Sequence, residues 1–314
     1  MTTQDGAARE RGGSSAKARR AVLRAPVANE EPRPLSSSVR VDVAAASHRG
    51  AGRRHNDDHF LVLQLGRTQE TILTSLHAAD IPPAFAEQAY AMMVADGLGD
   101  EGAGSVASRV ALSTIAHLSL HHGKWNVRVD PIAAADIMKR AQEFFERADV
   151  EVFEKSLMGP PLNAIATSLT AAYSAGDSLF VAHVGHSRAY LVRNGTLTLL
   201  TRDHTLKHKV AASKRPVSVE RRAEDVGHIL TGAIGSDAGT PWTDVEQFRL
   251  ADGDSVLLCT NGLTDVVDDE RIAEILTSPR KPEQQCSLLT DAAKELGATD
   301  NVTVVLAQYR IPSI

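Results

Sequence analysis

Four aspartates carry the chemistry this chain could perform: Asp57 and Asp58 in RRHNDDHF, Asp96 in VADGLGDEG, and Asp300 in TDNVTVV. Each sits where a hydrophobic run meets a turn, so each is expected at a strand end. Carboxylates fixed at one edge of a sheet suit a cluster of hard divalent cations, which prefer oxygen donors. Two further turns of the same kind, VGHSR and CTNGLTD, carry His186 and Asn261 where a carboxylate would be expected. An amide oxygen ligates Mg²⁺ but brings no charge. Imidazole suits Zn²⁺, Ni²⁺ or Fe²⁺ better than Mg²⁺.

The elements that must position these residues follow from periodicity. Val39 to Ala45 and Asp58 to Leu65 read as strands, and Tyr90 to Ala95 as a short buried one. Apolar Val106, Val110, Leu112 and Ile115 recur near a 3.6-residue period and predict a helix from Gly102 to Leu120. A second amphipathic helix runs from Pro131 to about Leu157, with Asp130 as cap and proline at its first position. Strands are then expected at Ala166 to Tyr173, Ser178 to Val184 and Arg188 to Val192, with hairpin turns at Gly176-Asp177 and Asn194-Gly195. Trp242 to Leu250, Ser255 to Thr260 and Val302 to Tyr309 read as further strands, and Glu270 to Leu276 and Glu283 to Leu296 as helices. Hairpins interrupted by helix pairs argue for an α+β protein, with two antiparallel sheets packed face to face and helices outside.

Composition sets the class. With 314 residues, 43% hydrophobic and 23% charged, the chain is an ordinary globular protein with ample material for a core. A net charge of -5 argues against nucleic acid as the main partner. No apolar run approaches the length of a membrane span, and the first residues lack the apolar core of a secretion signal. The two cysteines, Cys259 and Cys286, fit a reducing cytoplasm, and Cys259 lies in a strand-like run as a buried structural thiol. Trp125 and Trp242 read as core filling. Residues 1–38 are rich in Ala, Arg, Ser and Pro, with basic Arg9, Arg11, Lys17, Arg19, Arg20 and Arg24, and read as a disordered tail. Residues 39–312 are left as one domain.

The order of these turns resembles the PP2C (PPM) family of metal-dependent protein phosphatases. The matching pieces are RRHNDD (53–58), ADGLG (95–99), GSVAS (104–108), ATSLT (166–170), VGHSRAYL (184–191), LTRDH (200–204), GDSVLLCTNGLTD (253–265) and TDNVTVV (299–305). A single DG or DN turn is common; eight pieces in order are specific. The resemblance implies a four-layer αββα sandwich, two Mg²⁺ or Mn²⁺ ions at one end, and hydrolysis of phosphoserine and phosphothreonine by a metal-bridging water. It implies that Asp96 bridges both metals, that the Gly97 carbonyl and waters held by Asp57 and Asp58 serve the second, and that Asp300 binds the first. Arg53 would clamp the substrate phosphate, with Arg54 as its competitor. The implied partner is a phosphorylated protein, substrate of an opposing kinase, and the implied state a monomer.

Two positions depart from the family pattern. Asn261 stands at a metal-binding aspartate, which would weaken the first metal. His186 replaces the aspartate that helps hold a third ion; it is a doubtful metal ligand and reads more simply as a turn residue. Asp100 stands where a second glycine is usual, either adding a carboxylate or capping the following helix. The expectation is an active phosphatase of altered metal preference; the alternative is a pseudophosphatase that binds phosphoprotein without hydrolysing it. Residues 203–227, with Lys207, Lys209, Lys214, Arg215, Arg221 and Arg222, correspond to the family's variable flap and read as an exposed helix and loop, with a role in gripping acidic phosphopeptides as the alternative.

Overall fold

Alternating burial along the chain resolves into two antiparallel five-stranded sheets in a computed structural model that describes residues 36–77, 80, 85–100, 102–122, 129–160, 162–212, 229–236 and 242–312. The basic tail through residue 35, Trp125, and the flap residues Lys214, Arg215, Arg221 and Arg222 lie outside the described residues. Ser36–Ser38 forms a 3₁₀ turn, and the buried Ser36 hydroxyl accepts from the Gln88 N–H.

The first sheet contains β1 (Arg40–His48), β6 (Arg188–Arg193), β7 (Thr196–Leu199), β9 (Ser255–Cys259) and β10 (Val302–Arg310), in the order β1-β10-β9-β6-β7. The second contains β2 (Asp58–Gln69), β3 (Phe85–Leu98), β4 (Ala166–Ala175), β5 (Ser178–Val184) and β8 (Asp244–Arg249), in the order β2-β3-β4-β5-β8. The β6–β7 hairpin turns on Asn194 and Gly195, both with positive φ (51° and 78°), the conformation a two-residue hairpin requires.

Between the sheets, Met92, Val94, Leu179, Val256, Leu258, Val305 and Tyr309 form a buried layer. Helices α1 (Gly104–His122) and α2 (Pro131–Ser156) cover the second sheet through Ala107, Ala111, Ile115, Phe145 and Val152. The buried face of α1 is therefore mostly alanine, while Val106 and Val110 are only half-buried. After the basic α3 (Leu206–Ala212) and one turn, α4 (Asn261–Thr264), helices α5 (Asp269–Thr277) and α6 (Pro282–Glu295) close the first sheet with Ile272, Ile275, Leu289 and Ala293. Side-chain caps start α2 and α5: Asp130 accepts from the Ala133 N–H and Asp268 from the Arg271 N–H.

Three readings of the sequence are corrected. β3 is 14 residues long and runs through the Asp96-Gly97 pair, because Asp96, Gly97 and Leu98 still pair with Ser168, Thr167 and Ala166 of β4. Asp96 is thus a strand residue, and the Asp-Gly turn signal placed the strand's end too early. Trp242 is 65% exposed, its indole N–H donating to Asp244. Asp100 is exposed, and its main-chain carbonyl accepts from the Ala103 N–H at the start of α1. Cys259 is buried as expected, and burial pushes its thiol up to about 12.

Leu258 is fully buried between the sheets. Leu258→Ala is expected to lower unfolding stability by about 2–5 kcal/mol in denaturant titration; a loss near zero would contradict the packing described.

Candidate metal and phosphate site

Asp58 opens β2 and Asp96 lies near the end of β3, and the register sets them directly opposite one another. Directly opposed residues share a sheet face, with Cβ atoms about 4.5–5.5 Å apart. Both are buried. The row continues to Ser168 on β4, whose hydroxyl bonds His186 Nδ1 at 2.8 Å. The second sheet thus carries Asp58, Asp96, Ser168 and His186 at one end.

The first sheet answers from the same end. The Thr260 hydroxyl, just past β9, donates to Asp58 Oδ2 at 2.8 Å and accepts from the Thr303 N–H on β10 at 3.0 Å. Asp58 is therefore tied across the sandwich. Asn301 fastens the loop before β2: its Oδ1 accepts from the Asp57 N–H, and its Nδ2 donates to the carbonyls of Arg49 and His55. The Ser108 hydroxyl of α1 adds a bond to the Asp57 carbonyl at 2.6 Å. Gly97 is required by close approach, because a Cβ there would lie 2.1 Å from the Gly104 carbonyl oxygen.

Burial and mutual repulsion dominate the electrostatics. Asp58 is raised to about 7, first by desolvation and then by the charges of Asp300 and Asp57, against the hydrogen bonds from Thr260 and Thr303. Asp96 is pushed well above the carboxylate range by burial and by Asp58 and Asp300, with Arg53 opposing. Among the described residues, Oδ1 of Asp57 and Oδ1 of Asp58 are buried with no hydrogen-bond partner. Beside them opens a cleft of about 440 Å³, lined by Arg53, Arg54, His55, Asp57 and three glycines.

Among the described residues no three His, Cys, Asp or Glu side chains converge as a ready-made metal cage. The donor set nonetheless fits hard cations: orphaned carboxylate oxygens, and buried acids whose ionised forms need positive charge. Asp57, Asp58, Asp96, the Gly97 carbonyl and Asp300 sit around this end of the sandwich. Asn261, buried at the start of α4, donates from Nδ2 to Asp265 Oδ2 at 2.9 Å. His186 Nδ1 lies 3.7 Å from Asp96 Oδ2, so the ring is a buried neighbour of the cluster. Arg53, expected to reach for phosphate, instead holds Asp300 by two 2.8 Å bonds. Thr260, Ser168, Asn301 and Asp265 were not singled out by sequence reasoning. Their positions inside the quoted ATSLT, CTNGLTD and TDNVTVV pieces were the available signal.

Residues 84–297 match the family model described as protein phosphatase 2C. The chain belongs to the protein phosphatase 2C family. It is 32% identical over 216 residues to the serine/threonine protein phosphatase PstP of Mycobacterium tuberculosis, covering 69% of this chain and 40% of that one. The chain thus spans well under half the length of that mycobacterial relative. It is 28% identical to the serine/threonine phosphatase stp of Listeria monocytogenes, over 83% of this chain and 92% of that protein. The crystal structure of the PstP catalytic domain with two manganese ions superposes with a TM-score of 0.65 at 28% identity, covering 87% of this chain and 99% of that one. The Streptococcus agalactiae serine/threonine phosphatase (S. agalactiae; TM-score 0.70, 22% identity, 87% and 100% coverage) shares the fold.

The raised carboxylates give a signed pH dependence. A group whose folded pKa exceeds its unfolded value contributes stability that is complete below the unfolded pKa, here 3.8, and is lost as pH rises through the folded value, here about 7. Cations bind the ionised form. Mn²⁺ should therefore raise the melting temperature of chelator-treated protein more at pH 8 than at pH 6. Equal shifts at both pH values would contradict the assignment.

Proposed function

We propose that this protein is a metal-dependent phosphoprotein phosphatase acting on phosphoserine and phosphothreonine. One observation carries the reading: Asp58 and Asp96, register-paired and buried, stand at the end of a sandwich beside an arginine-lined cleft. Asp57, Asp58, Asp96, the Gly97 carbonyl and Asp300 would hold two Mg²⁺ or Mn²⁺ ions, as the two manganese ions of the PstP structure support. Such an ion pair, when bound, lowers the pKa of a shared water and offsets charge on the phosphoryl oxygens.

The chain's own residues then have distinct tasks. Asp58 and Asp96 supply fixed negative charge that the strands hold in place at no further cost in entropy. Thr260 and Thr303 orient Asp58. Arg53 and Arg54 line the cleft, where a guanidinium fork matches the phosphoryl oxygens of a docked segment. Lys207 and Lys209 on α3 are exposed and would meet acidic flanking residues of the substrate. The working partner is a phosphorylated protein produced by a serine/threonine kinase. The buried thiols of Cys259 and Cys286 agree with a reducing cytoplasm, and a monomer suffices to build the site.

A second reading rests on Asn261 and His186. Asn261 brings no charge, and its amide is engaged with Asp265. His186 is held by Ser168. A first-metal site weakened in this way would favour binding of phosphoprotein without efficient hydrolysis. In the phosphatase reading Asn261 slows the reaction without abolishing it.

Purified protein should hydrolyse a small aryl phosphate and a phosphothreonine peptide with Mn²⁺ faster than with Mg²⁺, and chelator should abolish both. Asp96→Asn is expected to reduce the rate by at least about 100-fold, beyond what loss of an outer-shell partner costs. Asn261→Asp should increase it. No hydrolysis with any divalent ion, and none after Asn261→Asp, would leave the binding reading alone.

A further inference from the structure

Arg53 and Asp300 are far apart in sequence, yet they form a fork. Nε donates to Oδ1 and Nη2 to Oδ2, each at 2.8 Å. Oδ1 also accepts the Asn301 N–H at 2.7 Å, so both carboxylate oxygens are engaged. The backbones beneath them are fixed to each other. The Ala51 and Gly52 N–H groups donate to the carbonyls of Ala298 and Thr299, and a Cβ on Gly50 would lie 2.0 Å from the Asp300 carbonyl oxygen. The Arg53 side chain, exposed on the cleft wall, has room to change partner.

A guanidinium across both oxygens takes lone pairs that a divalent cation would use, and the two like charges repel at one carboxylate, so they compete for Asp300. While Nε and Nη2 hold Asp300, the guanidinium offers a phosphoryl group only its remaining Nη protons and not this fork. We propose that Arg53 is a cation-released latch: it competes with the divalent cation for Asp300, and its fork turns to the phosphorylated segment once the cation has taken that carboxylate. This rests on the metal-centre reading above and adds an order to it. Cation and phosphate binding become cooperative through one side chain, and the coupling is reciprocal. Without cation the cleft keeps its phosphate clamp folded away.

The pair is half in solvent, with side chains 52% and 32% exposed, so its effect is modest. Mn²⁺ affinity is measured by calorimetric titration of the chelator-treated protein and of Arg53→Lys, Arg53→Ala and Arg54→Ala, without any phosphoester present. Arg53→Lys keeps the charge but loses the fork. It should bind Mn²⁺ about two- to fivefold more tightly than wild type. Arg54→Ala removes an equal charge from the same cleft, so it measures the through-space effect alone, and Arg53→Ala should exceed it. Mn²⁺ binding of equal strength in wild type and Arg53→Lys, or a gain in Arg54→Ala matching that of Arg53→Ala, would overturn the latch and leave the metal centre standing. An absence of Mn²⁺ binding in every protein would overturn both.

Discussion

Asp58 and Asp96 face each other across one antiparallel register position, both out of water and both raised by Asp300. Like charges directly opposed across strands destabilise a sheet, and burial removes the solvent that would screen them. The fold does not relax this arrangement; it over-determines it. Asp58 is tied to the opposite sheet through Thr260 and Thr303, and Asp57 is fixed by Asn301 and by Ser108 of α1. Gly97 and Gly104 admit α1 so closely that no side chain could be added between them. The electrostatic cost of the cluster and its attraction for cations are the same quantity seen from two sides.

This constraint explains the layout of the rest. Two sheets are needed because the donors come from both: β2 and β3 in one, and the residues flanking β9 and β10 in the other. The buried layer between them sets the relative position of Thr260 and Asp58. Asn261 begins α4 immediately after Thr260, so its substitution sits in a rigid frame. Its amide is turned to Asp265, whose charge also acts on Asp96. Asp265 thus brings a carboxylate's negative potential to the cluster from four residues beyond Asn261.

Much of this was legible in the residues. Asp58 and Asp300 fall at strand edges as their flanking hydrophobic runs indicate, and the hairpins at Gly176 and Asn194-Gly195 follow from turn chemistry. Strand length was not legible at β3: AEQ has little β character, and Asp-Gly reads as a turn, yet pairing with β2 over Phe85–Asp96 and with β4 over Ala89–Leu98 together holds the strand extended. Trp242 misled because a large apolar ring argues for the core, whereas its N–H finds Asp244 at the surface. The partner of Arg53 could not be read either, since nothing local links it to a residue 247 positions away. Cross-sheet bonds such as Thr260 to Asp58 are invisible for the same reason.

Diffraction from manganese-soaked crystals, recorded at the metal's absorption edge, examines the carboxylate cluster itself. Two anomalous peaks bounded by Asp58, Asp96 and Asp300 are the result this account requires. An intact Asp58–Asp96 pair with no peak beside it, in abundant manganese, would contradict it.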